Sequence, residues 1–132
     1  MAVIDYLDFH DLLLICDEII PGYQIRDKGL LLSAIERPQT ELYGVEVYPD
    51  FELKAAALMH SIARNHALVD GNKRLAWSSM RIFCLMNKRD VFLTVSQAEK
   101  LTVAIAAGKY DVEEIARKLK IEKDWNFACT VA

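Results

Sequence analysis

One stretch constrains the fold more than any other. Between residues 72 and 87 the chain reads NKRLAWSSMRIFCLMN, and Leu75, Ala76, Trp77, Met80, Ile82, Phe83, Leu85 and Met86 cover most of a helical circumference. A helix that is apolar on nearly every side is normally the central, buried one of its fold. Arg74, Ser78 and Arg81, at i, i+4 and i+7, supply its one polar stripe. The rest of the chain must wrap this helix.

What surrounds it reads mostly as further helices. Leu12, Ile15, Cys16, Ile19 and Ile20 recur at helical spacing over 8–20, and Pro21-Gly22 ends the run. A second helix fits 28–36, with Leu31, Leu32 and Ile35, and Pro38 stops it. The stretch 38–50, PQTELYGVEVYPD, loses that spacing and predicts an extended flap or short hairpin. Helix returns over 51–65, where Ala55-Ala56-Ala57 favours close packing. After a strand-like piece, Val91–Thr94, Ser96 with Glu99 predicts a capping box for a helix to about Ala107, closed by Gly108. Asp111 with Glu114 repeats the pattern for a helix to about Lys120. The last dozen residues lack periodicity, and Trp125 and Phe127 there read as packing residues. The expectation is an all-α, compact helical bundle around one buried central helix, with a short extended flap. It forms a single domain over 1–132, with its core at about 8–120 and a tail, 121–132, of unassigned role.

Composition limits the function classes. The chain is 53% hydrophobic and 27% charged, enough for a packed core and unlike a disordered segment. Its 16 basic and 19 acidic residues, net −3, are interleaved, as in Arg26/Asp27/Lys28. Direct DNA binding needs a one-sided basic surface and is not expected. Cys16, Cys84 and Cys129 are far apart, and no CxxC pair suggests zinc. Cys84, inside the apolar run, reads as a small buried hydrophobe. This cysteine usage suits a reducing cytosol. Acidic Asp5, Asp8 and Asp11 open the chain where a secretory leader would be basic, and no apolar run approaches a membrane span. A soluble, cytoplasmic protein is expected.

The chemistry concentrates in His66–Arg74, HALVDGNKR. Asp70-Gly71-Asn72 is a helix-start signal on the N-terminus of the central helix. Free backbone N–H groups and the positive end of the helix dipole suit such a place to anions. Gly71 lets the backbone approach a phosphate with no Cβ in the way. Lys73 and Arg74 put two cations in the first helical turn, which disfavours the helix by about 0.3–1 kcal/mol each. An anion sitting among them would explain that cost. Asp70 is a carboxylate among phosphate-binding groups, suited to hold Mg²⁺. His66, with a near-neutral pKa, suits proton abstraction from an attacking hydroxyl. Base, metal ligand and anion cradle within nine residues are the parts for phosphoryl or nucleotidyl transfer.

Singly, each of these residues has a plainer explanation. A loop His is usually a surface residue, DGN is a common turn with a cap, and helical Lys and Arg usually face solvent. The combination is what is specific. No GxxxxGK[ST] or GxGxxG loop competes with it. His60 and His66, six apart, do not share a helical face, so His60 reads as a core or interface residue and His10 as structural. Arg64 could reach the same cleft as a substrate or phosphate contact, or simply cap a helix end.

At this point HALVDGNKR resembles the motif of the Fic/Doc family, HxFx(D/E)(G/A)N(G/K)R, with Lys73 as in its Doc (death-on-curing) branch. Arg26-Asp27 with Gly29, Glu36-Arg37-Pro38-Gln39, Tyr43-Gly44, Tyr48-Pro49-Asp50 and Lys54-Ala-Ala-Ala57 also look Doc-like, over roughly residues 8–120. The resemblance implies a Fic fold whose flap holds a target segment by strand addition. It implies a bacterial toxin restrained by a Phd-type antitoxin. The implied activity is that of a protein kinase, which passes the γ-phosphate of ATP to a hydroxyl of elongation factor Tu and halts translation. By matching position, His66 would be the general base, Asp70 the Mg²⁺ ligand, and Gly71, Asn72, Lys73 and Arg74 the phosphate binders. Lys73 in place of glycine implies an altered anion hole, with ATP reversed to offer its γ-phosphate. Two other readings are an AMP transferase and a catalytically degenerate antitoxin-binding module.

Three features depart from the family pattern. Leu68 replaces the usual aromatic residue. Trp77 stands where AMP-transferring members often carry a second arginine, which favours the kinase reading. No (S/T)xxxE(G/N) inhibitory helix occurs, which points to restraint by a separate chain.

Overall fold

The computed structural model describes residues 3–123. Six helices carry the architecture: α1 (Phe9–Ile19), α2 (Lys28–Glu36), α3 (Phe51–Asn65), α4 (Asn72–Met86), α5 (Val95–Ala106) and α6 (Val112–Leu119). The all-α expectation and the helical spans agree closely. Trp125, Phe127 and Cys129 lie outside the described residues.

Side-chain caps start most of these helices. Asp8 and Asp11 form a reciprocal capping box on α1, and Asp27 accepts from the Leu30 N–H on α2. Asp111 and Glu114 cap α6 as the sequence predicts. For α5 the expected Ser96/Glu99 box is replaced by Thr94 and Gln97. The run TVSQAE contains two overlapping cap patterns. The helix takes the earlier one, starting as soon as the extended segment before it ends.

The flap is a two-residue hairpin. Strands β1 (Glu41–Leu42) and β2 (Val45–Glu46) pair antiparallel, and both turn residues, Tyr43 and Gly44, have positive φ (52° and 78°). That geometry suits the right-handed twist of a tight hairpin. A second pair, β3 (Arg89–Val91) with β4 (Ile121–Lys123), joins Val91 to Ile121. The sequence places a strand-like piece only at 91–94. Nothing periodic marks 121–123, because this pairing is non-local.

The central helix is α3, not α4. Phe51, Lys54 to Met59, Ser61, Ile62 and Ala63 are all buried, and α3 packs against α2, α4, α5 and α6. In α4, Leu75, Ala76, Ser79, Met80, Phe83 and Cys84 face the core, while Ile82 and Met86 are exposed. In the sequence α4 stands out by its large apolar side chains, whereas α3 relies on the small Ala55, Ala56, Ala57 and Ala63. Their small size is what admits neighbours on every side. Phe83 stacks on Phe51 with ring centroids 4.8 Å apart, fixing α4 to the start of α3.

Candidate active site

The loop joining α3 to α4 carries the sequence-derived candidates. His66 ends α3 in the left-handed region, φ 51° and ψ 45°, with its side chain exposed. Such a conformation is uncommon outside glycine and marks a specifically held turn. Next, Ala67 and Leu68 dive into the core, each 1% exposed. Their backbone pairs with the segment before α2. The Arg26 and Asp27 N–H groups donate to the Ala67 carbonyl, and Val69 N–H donates to the Gln24 carbonyl. Leu68, though smaller than the aromatic residue of the family pattern, therefore anchors the loop.

Asn72 closes the loop on itself. Its Oδ1 accepts from the Leu68 N–H at 2.9 Å and its Nδ2 donates to the Leu68 carbonyl at 2.9 Å. The backbone N–H of Asn72 and the second hydrogen of its Nδ2 remain for the phosphate role expected of it. Gly71 sits at φ 92°, and a Cβ there would lie 2.9 Å from Cδ1 and Cγ2 of the buried Ile20. Only glycine fits that combination of backbone and neighbour.

These constraints leave the start of α4 open. Leu75 N–H makes the first intrahelical bond, to the Gly71 carbonyl at 2.9 Å. The N–H groups of Asn72, Lys73 and Arg74 precede it without helical partners, and no side chain caps them. Lys73 and Arg74 are both exposed beside them. Arg74 also donates to the Ile19 carbonyl at 3.3 Å, which steadies its guanidinium at the end of α1. Lys73 has no ion pair among the described residues.

His66, Asp70, Gly71, Asn72, Lys73 and Arg74 line one cavity of about 420 Å³, walled by Ala63, Val69 and Ala106. Every core candidate thus meets in one place. Asp70 is its lone carboxylate, with Oδ1 accepting from the Gly71 N–H at 2.8 Å. No group of three or more His, Cys, Asp or Glu that could cage a metal occurs among the described residues. One carboxylate fits Mg²⁺ instead, which is commonly held by one or two carboxylates and the phosphates of its substrate.

Arg64 is used differently. Its Nη1 donates to the Ala106 carbonyl at 2.7 Å, and its guanidinium lies against Gly108. The unsatisfied carbonyls and negative dipole end of α5 attract it there. Of the two readings open for Arg64, the helix-capping one describes its position, though it caps α5 and not its own helix. The residue lies outside the cavity lining.

Sequence reasoning missed a second cavity, of about 460 Å³, which shares Lys73 and Arg74 with the first. Trp77, Val91, Leu93, Val95 and Val103 give it apolar walls. It assembles from α4, α5 and the segment between them, a juxtaposition with no local signature.

The Fic/DOC family model matches residues 5–84, which hold the whole loop. This chain belongs to the Fic/DOC family. It is 43% identical over 118 residues to a protein named Toxin Doc from Mycolicibacterium smegmatis, covering 87% of this chain and 91% of the relative. The Doc branch expected from Lys73 is thus shown, and the chain is a toxin of the Fic/Doc type, within a family of transferases. Among the described residues of this Fic/DOC chain, no helix is long and apolar enough to cross a membrane.

Proposed function

We propose that this Fic/DOC chain is a protein kinase toxin that transfers the γ-phosphate of ATP to a side-chain hydroxyl of a translation factor. The observation that carries the reading is one cavity in which an uncapped helix start, flanked by Lys73 and Arg74, faces His66 and Asp70. Phosphates fit against the N–H groups of Asn72, Lys73 and Arg74 and the two cations. His66 takes the proton of the acceptor hydroxyl as its oxygen bonds to the γ-phosphorus. The bond from that phosphorus to the bridging oxygen breaks, and ADP leaves. Asp70 would hold Mg²⁺, which supplies charge neutralisation at the phosphates when bound.

Elongation factor Tu is the acceptor to test first, on the resemblance to the founding Doc. A Phd-type antitoxin would restrain the enzyme. Val95 and Val103, 76% and 56% exposed, lie in the apolar cavity next to Lys73 and Arg74, where a docked segment would also obstruct the loop. Trp77 favours phosphate over AMP transfer, because AMP-transferring members often carry a second phosphate-binding arginine there.

Incubation with elongation factor Tu, Mg²⁺ and ATP labelled at the α- or γ-phosphate separates these readings. Label arriving from the γ-position alone is the expected result. Label from the α-position alone overturns the kinase reading in favour of AMP transfer. No transfer, with the wild type harmless to cells lacking its antitoxin, leaves a binding module.

A further inference from the structure

The flap is fastened to α3 by charged side chains that the transfer chemistry does not use. Lys54, in the first turns of α3, is only 2% exposed, a rare place for an ammonium group. It pairs with Glu46 Oε1 at 3.0 Å and donates to the Tyr48 carbonyl. A buried cation is tolerated when it is paired and hydrogen-bonded, and here both partners belong to the outgoing arm of the hairpin.

Arg37 does the same on the incoming side. It lies in the 3-10 turn Arg37–Gln39 that leads into the hairpin. Its Nη1 lies 2.8 Å from His60 Nδ1 and 3.0 Å from Ser61 Oγ on α3, while its Nε donates to Tyr48 Oη at 2.9 Å. The guanidinium also sits over the Tyr48 ring, 5.4 Å from its centre. Arg37 therefore ties both arms to the middle of α3.

Apolar burial beside this fastening is confined to the base of the flap, at Pro38 and Val47. Residues 40–46 are all exposed, and Tyr43 at the tip is fully so. The strand and turn residues 41–46 add little apolar burial of their own, so the charged latch is what fixes their place. The same helix carries His66 at its end, six residues beyond His60, or about 9 Å along the axis. Latch and base are thus mounted on one rigid bar.

We propose that Arg37 and Lys54 are positioning residues, which hold the flap at a set place on α3 so that an extended acceptor segment lying against it presents its hydroxyl to His66. This inference rests on the transfer reading, but its structural half can be measured without activity.

The experiment uses the full chain with Lys54→Met, Arg37→Met and Glu46→Gln. Glu46 is half exposed and Gln keeps an acceptor for Lys54 while removing the charge, so this is the mildest of the three changes. Amide hydrogen exchange over 41–47 is measured without nucleotide, followed by steady-state transfer from MgATP to the protein acceptor. Each change is expected to speed flap exchange and to raise KM for the acceptor about tenfold, the worth of one hydrogen bond to a charged group. The effects on kcat and on KM for ATP should be smaller, and Arg37→Lys should restore part of the loss. A merely structural role would lower kcat and thermal stability with no such split. Unchanged flap exchange, or an unchanged KM for the acceptor, overturns the proposal. If the wild type transfers nothing, the transfer reading fails, and flap exchange alone decides whether the latch exists.

Discussion

The side-chain amide of Asn72 grips both polar groups of the Leu68 backbone, at 2.9 Å each, and so closes the loop between His66 and the start of α4. Asn72→Ala removes both bonds and leaves the buried Leu68 peptide groups without those partners. We expect a loss of about 1–3 kcal/mol in stability, read by denaturant unfolding. Transfer activity should fall further than this loss of folded protein explains, because His66 and Asp70 lose their spacing.

Gly71 and Ile20 define the second prediction. Gly71→Ala places a Cβ 2.9 Å from two carbons of Ile20 at a backbone φ of 92°. The left-handed backbone alone costs an L-residue about 1–2 kcal/mol, and the clash adds to it. In an Ile20→Ala background the added cost of Gly71→Ala should shrink, leaving the backbone part. A double-mutant cycle by thermal unfolding measures this coupling. Equal costs in both backgrounds would show that the contact with Ile20 does not matter.

The third prediction separates chemistry from binding. His66→Gln should lower kcat by about a hundredfold or more, the usual worth of a general base, with MgATP affinity little changed. Lys73→Ala should instead weaken MgATP binding by about tenfold, as expected for a hydrogen bond to a charged group. Isothermal titration with single-turnover transfer resolves the two effects. His66→Gln should also relieve growth arrest in cells that lack the antitoxin.

His60 supplies a pH dependence. Its Nδ1 faces an Arg37 N–H at 2.8 Å, and a guanidinium can only donate, so that nitrogen must carry no proton. Burial first, then the nearby Arg37 and Arg64, lower its pKa from the ordinary 6.5, with Asp111 opposing them. Below 6.5 the unfolded chain therefore binds more protons than the native one, so stability falls as pH drops. Thermal unfolding between about pH 7 and pH 5 should show a shallower decline for His60→Asn, which keeps an acceptor but cannot titrate there. A slope identical to wild type would remove His60 as the cause.

The loop was legible because its chemistry is local. His66, Asp70 and Gly71–Arg74 lie within nine residues, and a single turn between two helices brings them to one cavity. Asn72 was legible as a member but not in its role, since nothing in the spacing shows its amide folding back onto Leu68. Arg64 was ambiguous because a helix-end cation answers to whatever lies opposite. Here that is the Ala106 carbonyl, 42 residues away in the chain.

The sequence by itself determined the helices, the Asp111/Glu114 cap, the flap turn and the content of the loop between α3 and α4. All depend on residues within a few positions of one another, where spacing and cap chemistry act. Tertiary structure decided the rest. It made α3 the central helix, because the small alanines along it let neighbours pack closely on every side. It paired Val91 with Ile121, built the apolar cavity beside Lys73, and buried Lys54 under the flap. Each is a contact between distant segments, decided by which surfaces exclude water together once the whole chain has closed.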